Sequence, residues 1–304
     1  MQIHVIAPAP TGYALVLHGG AGGRVEELAL DTKGRYTEGL SEAYRAGEAV
    51  LADGGGALDA VCVTVEHLEN NPLFNSGRGA ALTASGEAEL DASVMTGEGH
   101  AGAVAASRYA RNPVHLARKV MEESKHVFLV APSRELLAGW GLEIVDPEYF
   151  ITPGRQRQLK NVLAQRLAPP AHGTVGAAAV DMHGHVAAAT STGGSVGQSL
   201  GRVGDSPIIG AGTYAREGVV AISCTGEGEA FIQGVVAHDI SARMRYLNST
   251  LAEAIIATMA EELDTRAASG GIIAVSADGG LVVAHNSPAI FAAYRDGDQM
   301  VTLT

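Results

Sequence analysis

Short runs of small apolar residues, broken by clusters of glycine, set the pattern of this chain. The apolar run 13–17 enters His18-Gly19-Gly20-Ala21-Gly22-Gly23 and predicts a short buried strand. Residues 36–52 carry Leu40, Ala43, Tyr44, Gly47, Val50 and Leu51 at helical spacing, and Gly54-Gly55-Gly56 stops that helix. A second helix is predicted over 57–68. Strands are predicted over 80–83 and 90–95 around a turn at Ser85-Gly86, and a further strand over 102–106. Asn112-Pro113 predicts a helix start, with Asn as cap and Pro in the first turn, running to about 124. Residues 126–130 again read as a strand.

Between 152 and 172 the character changes. The stretch holds Arg155, Arg157, Lys160 and Arg166 with no acid, and Ala168-Pro169-Pro170-Ala171 cannot continue a helix. It reads as a surface linker over about 152–173. Beyond it, 174–181 and 185–192 read as strands around the turn Met182-His183-Gly184. Partner numbers across that hairpin sum to 366, which sets Thr174 opposite Thr192 to within a residue. A strand over 219–224 leads into a helix over 229–247, and Thr250 with Glu253 forms a capping box for the next one. Strands over 271–275 and 281–284 close the chain as a hairpin. Helices flanking sets of antiparallel strands predict an α+β fold of sheets covered by helices.

Composition narrows the function. With 304 residues the chain can bury a large core, in one domain or two. A net charge of -12 and the lack of any Lys/Arg run argue against a nucleic-acid partner. No apolar stretch reaches eighteen residues, so no membrane span is expected. The opening residues lack a basic start followed by an apolar core, and two cysteines, Cys62 and Cys224, make no disulfide framework; a cytoplasmic protein is expected. His183 and His185 have no further ligands close in sequence and read as turn residues rather than a metal site.

Four segments can carry chemistry. Thr174 follows the linker directly. A cut before it would free an α-amine beside the hydroxyl, with an ordinary pKa of about 7.7–8.0, suited to general-base work near neutral pH. Thr192, across the hairpin, either makes a plain cross-strand hydroxyl pair or orients the nucleophile. Arg202 and Asp205 share a glycine-lined loop, as a surface ion pair or as a clamp in which Arg202 grips an α-carboxylate and Asp205 an α-ammonium. Thr225-Gly226, at a strand end before a helix, offers a hydroxyl and a backbone N–H to a developing oxyanion.

In order along the chain stand His18-Gly19-Gly20-Ala21-Gly22, Asn71-Pro72-Leu73-Phe74-Asn75-Ser76-Gly77, Leu90-Asp91-Ala92-Ser93-Val94-Met95, Gly173-Thr174-Val175-Gly176-Ala177 and the segments 190–194, 201–207, 223–229 and 269–271. Together they resemble the plant-type L-asparaginase and isoaspartyl aminopeptidase family of N-terminal nucleophile hydrolases, over nearly the whole chain. The resemblance implies a single domain over 1–304, a four-layer αββα sandwich. It implies self-cleavage between Gly173 and Thr174 into 1–173 and 174–304, and assembly of the cleaved pairs into a homo-oligomer, a dimer. It implies hydrolysis of asparagine and of N-terminal β-aspartyl dipeptides. Thr174, Thr192 and Thr225 match the family's catalytic threonines, Gly226 its backbone oxyanion donor, and Asn75 a residue that helps hold the reacting group. Arg202, Asp205 and Gly228 match the substrate anchors. Catalysis needs no cofactor; the stretch around Leu68, Glu69, Asn71 and Phe74 matches a loop that can hold a structural sodium ion through backbone carbonyls. Gln198 and Glu227 stand where relatives often carry Lys and Thr, His or Asn, which bears on substrate preference.

Two other functions remain open from sequence. One is a glycosylasparaginase-like amidase of the same fold. The other is a non-enzymatic protein whose glycine loops hold an anion or nucleotide, against which stand the acidic charge and the lack of a Gly-x-x-x-x-Gly-Lys-Ser/Thr stretch.

Overall fold

The computed structural model describes residues 1–22, 30–165 and 173–304. The described strands are β1 (Gln2–Ile6), β2 (Ala14–Ala21), β3 (Leu90–Thr96), β4 (Ala101–Ser107), β5 (Phe128–Val130), β6 (Val175–Val180), β7 (Val186–Thr192), β8 (Thr213–Arg216), β9 (Val220–Gly226), β10 (Gly270–Ser276), β11 (Leu281–His285), β12 (Ile290–Asp296) and β13 (Gln299–Leu303). The described α-helices are α1 (Leu30–Ala52), α2 (Ala57–Asn70), α3 (Pro113–Glu123), α4 (Arg134–Gly139), α5 (Pro153–Gln165), α6 (Gly228–Gly234), α7 (Val236–Leu247) and α8 (Leu251–Thr258).

The chain is thus mixed α and β, with two sheets. The larger runs β13-β12-β2-β6-β7-β3-β4-β5 and the smaller β1-β11-β10-β9-β8. Every ladder between these described strands is antiparallel except β4 with β5. Strands β2, β6 and β7 meet β9 and β10 of the other sheet, helices α1 to α3 pack on the larger sheet, and α6 to α8 on the smaller.

Small residues explain how the central strands fit. In β6, Val175, Ala177 and Ala179 enter the core shared with α2, while Ala178 and Val180 enter the core between the sheets. Both faces are buried, so the period-2 alternation separates two cores rather than core from water. The β6–β7 ladder pairs Val175 with Ser191 and Gly176 with Thr190, so partner numbers sum to 366 as the sequence predicts. Gly184 (φ 82°) takes the left-handed position in that turn.

Several expectations need correction. Residues 80–83 form no strand: the Ala81 N–H goes to Asn75 Oδ1 at 2.6 Å and the Ala84 N–H to Gln198 O at 2.8 Å, so loops satisfy this backbone. The helix expected over 229–247 breaks into α6 and α7 at Val235, which adopts φ 48° after Gly234. Asn112 sits at the cap position of α3 without a side-chain cap bond; Glu69 instead accepts the Val114 N–H at 3.0 Å. The chain does not close on the hairpin of β10 and β11, because β12 and β13 follow and extend the larger sheet. The expected linker begins with helix α5: Leu159 and Val162 pack in the cluster around Phe150 and Val196, and Arg155 Nε donates to Gly79 O at 2.6 Å. The rest of that stretch, with Arg166, the Ala-Pro-Pro-Ala piece and His172, lies outside the described residues, as does Gly23 of the first glycine cluster.

Candidate active site

The site forms where the ends of β6, β7 and β9 meet the loop 201–207. Gly173, Thr174, Thr192, Gly194, Arg202, Asp205 and Gly226 line one small cleft there. The Gly173–Thr174 bond is intact, so the geometry is that of the uncut chain.

The carbonyl oxygen of Gly173 receives two donors. Asn75 Nδ2 donates to it at 2.5 Å and Thr192 Oγ1 at 3.2 Å. The amide of Asn75 is fully used: its second hydrogen goes to Gly194 O at 2.7 Å, and its Oδ1 accepts the Ala81 N–H at 2.6 Å. A carboxylate there could donate neither bond. Thr192 is held by the Gly194 N–H at 3.0 Å and accepts the hydroxyl of Thr174 at 3.2 Å. Backbone crowding enforces the approach: a side chain on Gly173 would strike Asn75 Cβ at 2.8 Å, and one on Gly20 (φ 115°) would come within 3.0 Å of Gly173 Cα.

Beneath Thr174 the intersheet core turns polar. A carbonyl can only accept, so His18 Nδ1 carries the proton and donates to Thr174 O at 3.0 Å. His18 Nε2 then accepts from Ser223 Oγ at 2.9 Å, and Ser223 meets Thr190 at 2.7 Å. Burial pushes the His18 pKa down to about 3 and keeps the ring neutral. Thr225 is fully buried in β9, and its Oγ1 accepts the Ala21 N–H at 3.3 Å, which leaves its own proton to donate. Gly226 (φ 145°) reaches the cleft wall.

Arg202 and Asp205 do not pair with each other. Arg202 forks onto Glu229, with Nε to Oε1 at 3.0 Å and Nη2 to Oε2 at 2.9 Å, and its Nη1 lies 3.4 Å from Gln198 Oε1. Glu229 is 63% exposed, so this pair holds Arg202 only weakly. Asp205 Oδ2 is buried without a hydrogen-bond partner among the described residues, and burial pushes its pKa up to about 7, against the pull of Arg202. A side chain on Gly228 would fall 2.8 Å from Asp205 Oδ1 and 3.2 Å from Arg202 Nη2, so glycine leaves room for both heads. Glu227 turns away to the Ser269 N–H at 2.8 Å and the Ser269 hydroxyl at 3.0 Å. Gln198 accepts the Ser195 N–H at 2.8 Å.

The sequence motifs include Glu69 and Asp91 but give their carboxyl groups no role. Glu69 accepts Ser191 Oγ at 2.6 Å and Asn112 Nδ2 at 3.1 Å, and burial raises its pKa to about 7. Asp91, beside Thr192 in the β3–β7 ladder, is likewise pushed up to about 7 by burial. An Asp between Leu90 and Ala92 in an apolar strand was the available signal for the second.

The family model described as asparaginase matches residues 11–304. The chain is 43% identical to a protein of Escherichia coli named isoaspartyl peptidase, over 92% of each chain. It is 39% identical to an Arabidopsis thaliana protein named probable isoaspartyl peptidase/L-asparaginase 2, over 96% of this chain and 99% of that one. It is 37% identical to the Homo sapiens protein named isoaspartyl peptidase/L-asparaginase, over 93% of each.

Proposed function

The chain belongs to the asparaginase family of N-terminal nucleophile hydrolases, and from that premise we propose that it cuts itself before Thr174 and then hydrolyses asparagine and N-terminal β-aspartyl dipeptides. One observation carries the reading: the Gly173 carbonyl oxygen, in the uncut chain, already sits between two donors beside the Thr174 hydroxyl. In the first step Thr174 Oγ attacks the Gly173 carbonyl carbon, and its proton is relayed through Thr192, which takes it and gives its own proton to the Gly173 oxygen. The negative charge that develops on that oxygen is held by Asn75 Nδ2 and Thr192 Oγ1, and its proton is the one the nitrogen takes next. The C–N bond then breaks, the Thr174 nitrogen takes a proton, and water hydrolyses the resulting ester. The products are the chain 1–173 and a chain whose free amine and hydroxyl share residue Thr174.

Turnover repeats the chemistry on a substrate amide, with the free amine as base. Departure of Gly173 releases one N–H of Asn75 for the reacting group. Thr225 Oγ1 and the Gly226 N–H complete the oxyanion site, and Arg202, Asp205 and Gly228 anchor the amino-acid end. The two sheets with a helical layer on each outer side are read as one αββα sandwich over 1–304. The same reading includes assembly of cleaved pairs as a dimer, in the cytoplasm. It also includes a structural sodium ion on the carbonyls of Leu68, Glu69, Asn71 and Phe74. In support, Gly77 and Gly79 crowd the Glu69 and Phe74 carbonyls so closely that no side chain fits between. Catalysis draws on no cofactor. Among the described residues no helix is long and apolar enough to cross a membrane.

The test is direct. Purified protein is expected to resolve on a denaturing gel into chains of 173 and 131 residues, the latter being 304 minus 173. N-terminal sequencing of the smaller one is expected to read Thr-Val-Gly-Ala. Full activity in a demonstrably uncut chain would refute the reading, and a lasting single band without activity would favour a binding protein. Thr225→Ala is expected to permit some cleavage while lowering kcat by about 10²–10³, the scale of one lost oxyanion donor; kinetics on the matured variant measure it.

A further inference from the structure

The loop that carries Arg202 and Asp205 is held at both ends by side chains from the β3 segment. Glu89, immediately before β3, is 5% exposed. Its Oε2 accepts the Gly201 N–H at 2.9 Å, one residue before Arg202. At the other end the Ser93 hydroxyl donates to Ser206 O at 2.6 Å, one residue after Asp205. The second oxygen of Glu89 accepts from Arg108 Nη2 at 2.7 Å. Arg108 follows β4 directly, and its side chain is 34% exposed, so the ion pair lies at the rim of the core. Within the loop, the bond from Arg202 N–H to Ser199 O at 3.1 Å closes a turn and ties nothing to the sheet. The proposed chemistry uses neither Glu89 nor Arg108.

We infer that Glu89 is a positioning residue for substrate binding: by accepting the Gly201 N–H it sets where Arg202 stands at the cleft, while Arg108 holds the carboxylate in place. The inference rests on the clamp reading of Arg202. A carboxylate suits the position because two donors, a guanidinium and a backbone N–H, converge on it, one at each oxygen. An amide has one acceptor oxygen for the two. The charge-assisted bond is the stronger, so a glutamine there would turn its oxygen to Arg108 and set its NH2 against the Gly201 N–H. The placement of the anchor matters because a displacement of about 1 Å at a binding site can cost ~10²-fold.

The test compares wild type, Glu89→Gln, Arg108→Ala and the double variant Glu89→Gln/Arg108→Ala, all matured. Glu89→Gln is expected to raise KM for asparagine at least about tenfold, with kcat changed under about threefold. Arg108→Ala removes the ion pair but leaves the Gly201 bond, and is expected to lower thermal stability with KM within about threefold of wild type. In the double variant no guanidinium competes for the amide oxygen, which turns to Gly201. Its KM is expected to return to within about threefold of wild type, although one more interaction has been removed. A merely structural role predicts the opposite order, with the double variant the worst. Hydrogen exchange at the Gly201 amide is read without turnover, and is expected to be at least about tenfold faster in Glu89→Gln and slow again in the double variant. An unchanged KM in Glu89→Gln, the same KM defect in Arg108→Ala, a double variant no better than Glu89→Gln, or unchanged Gly201 exchange in Glu89→Gln each overturns the inference. If Glu89→Gln does not fold, the double variant, which buries no charge at this place, decides alone: a KM raised about tenfold, or fast Gly201 exchange, overturns the inference. A wild type that turns over neither asparagine nor β-aspartyl dipeptides refutes the proposed activity instead, and the exchange measurement still decides whether Glu89 holds the loop.

Discussion

Thr174→Ala is expected to yield a full-length 304-residue chain with no measurable turnover. The substitution removes the atom that attacks Gly173 and the atom that attacks substrate, so both activities go together. It removes little else: among the described residues the hydroxyl bonds only Thr192, and the backbone bond from His18 to Thr174 O survives. Folding should therefore persist, which thermal denaturation checks. Loss of a covalent nucleophile costs on the order of 10⁶-fold in kcat. Thr174→Ser keeps a hydroxyl and is expected to cleave and turn over at reduced rates, since serine lacks the methyl group that fixes the β-branched rotamer. Wild-type ammonia release from the Thr174→Ala protein would place the nucleophile elsewhere.

The sequence carries much of this arrangement because its informative contacts are local or ordered. The 366 rule follows from a tight hairpin, where turn length fixes register and register fixes which side chains oppose. Thr174 meets Thr192 for that reason. Other features depend on chain separation that no spacing reveals. Asn75 reaches Gly173 across 98 residues, and Glu229 reaches Arg202 across 27. Spacing alone offers Asp205 as the partner of Arg202 because it lies closest along the chain; the fold supplies Glu229 from the first turn of α6. Strands β1, β8, β12 and β13 escape the sequence for a different reason. β1 and β13 are edge strands, with outward positions in water and only part of the apolar signal of a central strand. α5 reads as linker because its basic residues and missing acids mask Leu159 and Val162, the positions it buries against the Phe150 cluster.

Arg202→Ala is expected to cost about 2–5 kcal/mol in the transition state for asparagine, or roughly thirty- to several-thousand-fold in kcat/KM. In the unliganded site the guanidinium leans on Glu229, but that partner is 63% exposed and the pair contributes no more than about 1 kcal/mol. The Nε edge and one Nη2 hydrogen serve Glu229, and Nη1 makes only a long bond of 3.4 Å to Gln198 Oε1, which an incoming carboxylate would replace at the Nη1/Nη2 end of the fork. Lysine has no second edge, so Arg202→Lys is expected to rescue only in part. Asp205 completes the clamp. Its buried Oδ2 lacks a partner among the described residues, a costly state that an α-ammonium would relieve. Burial pushes the Asp205 pKa up to about 7, with Glu229 and Asp91 raising it and Arg202 lowering it. A raised carboxyl pKa means that the folded, empty site holds a proton the unfolded chain releases, so Asp205 lowers stability as pH rises from its unfolded value toward about 7. For binding, the proton competes with the ammonium. KM for asparagine is expected to climb as pH falls below about 7, and that slope is expected to flatten in Asp205→Asn. The decisive pair of rates is asparagine against N-acetylasparagine, which has no ammonium. Wild type is expected to spare the acetyl compound and α-linked peptides, in which the two clamped groups are amides. Equal hydrolysis of asparagine and its N-acetyl derivative would show that Arg202 and Asp205 do not read a zwitterion, and would return the Arg202–Glu229 fork to the role of a surface ion pair.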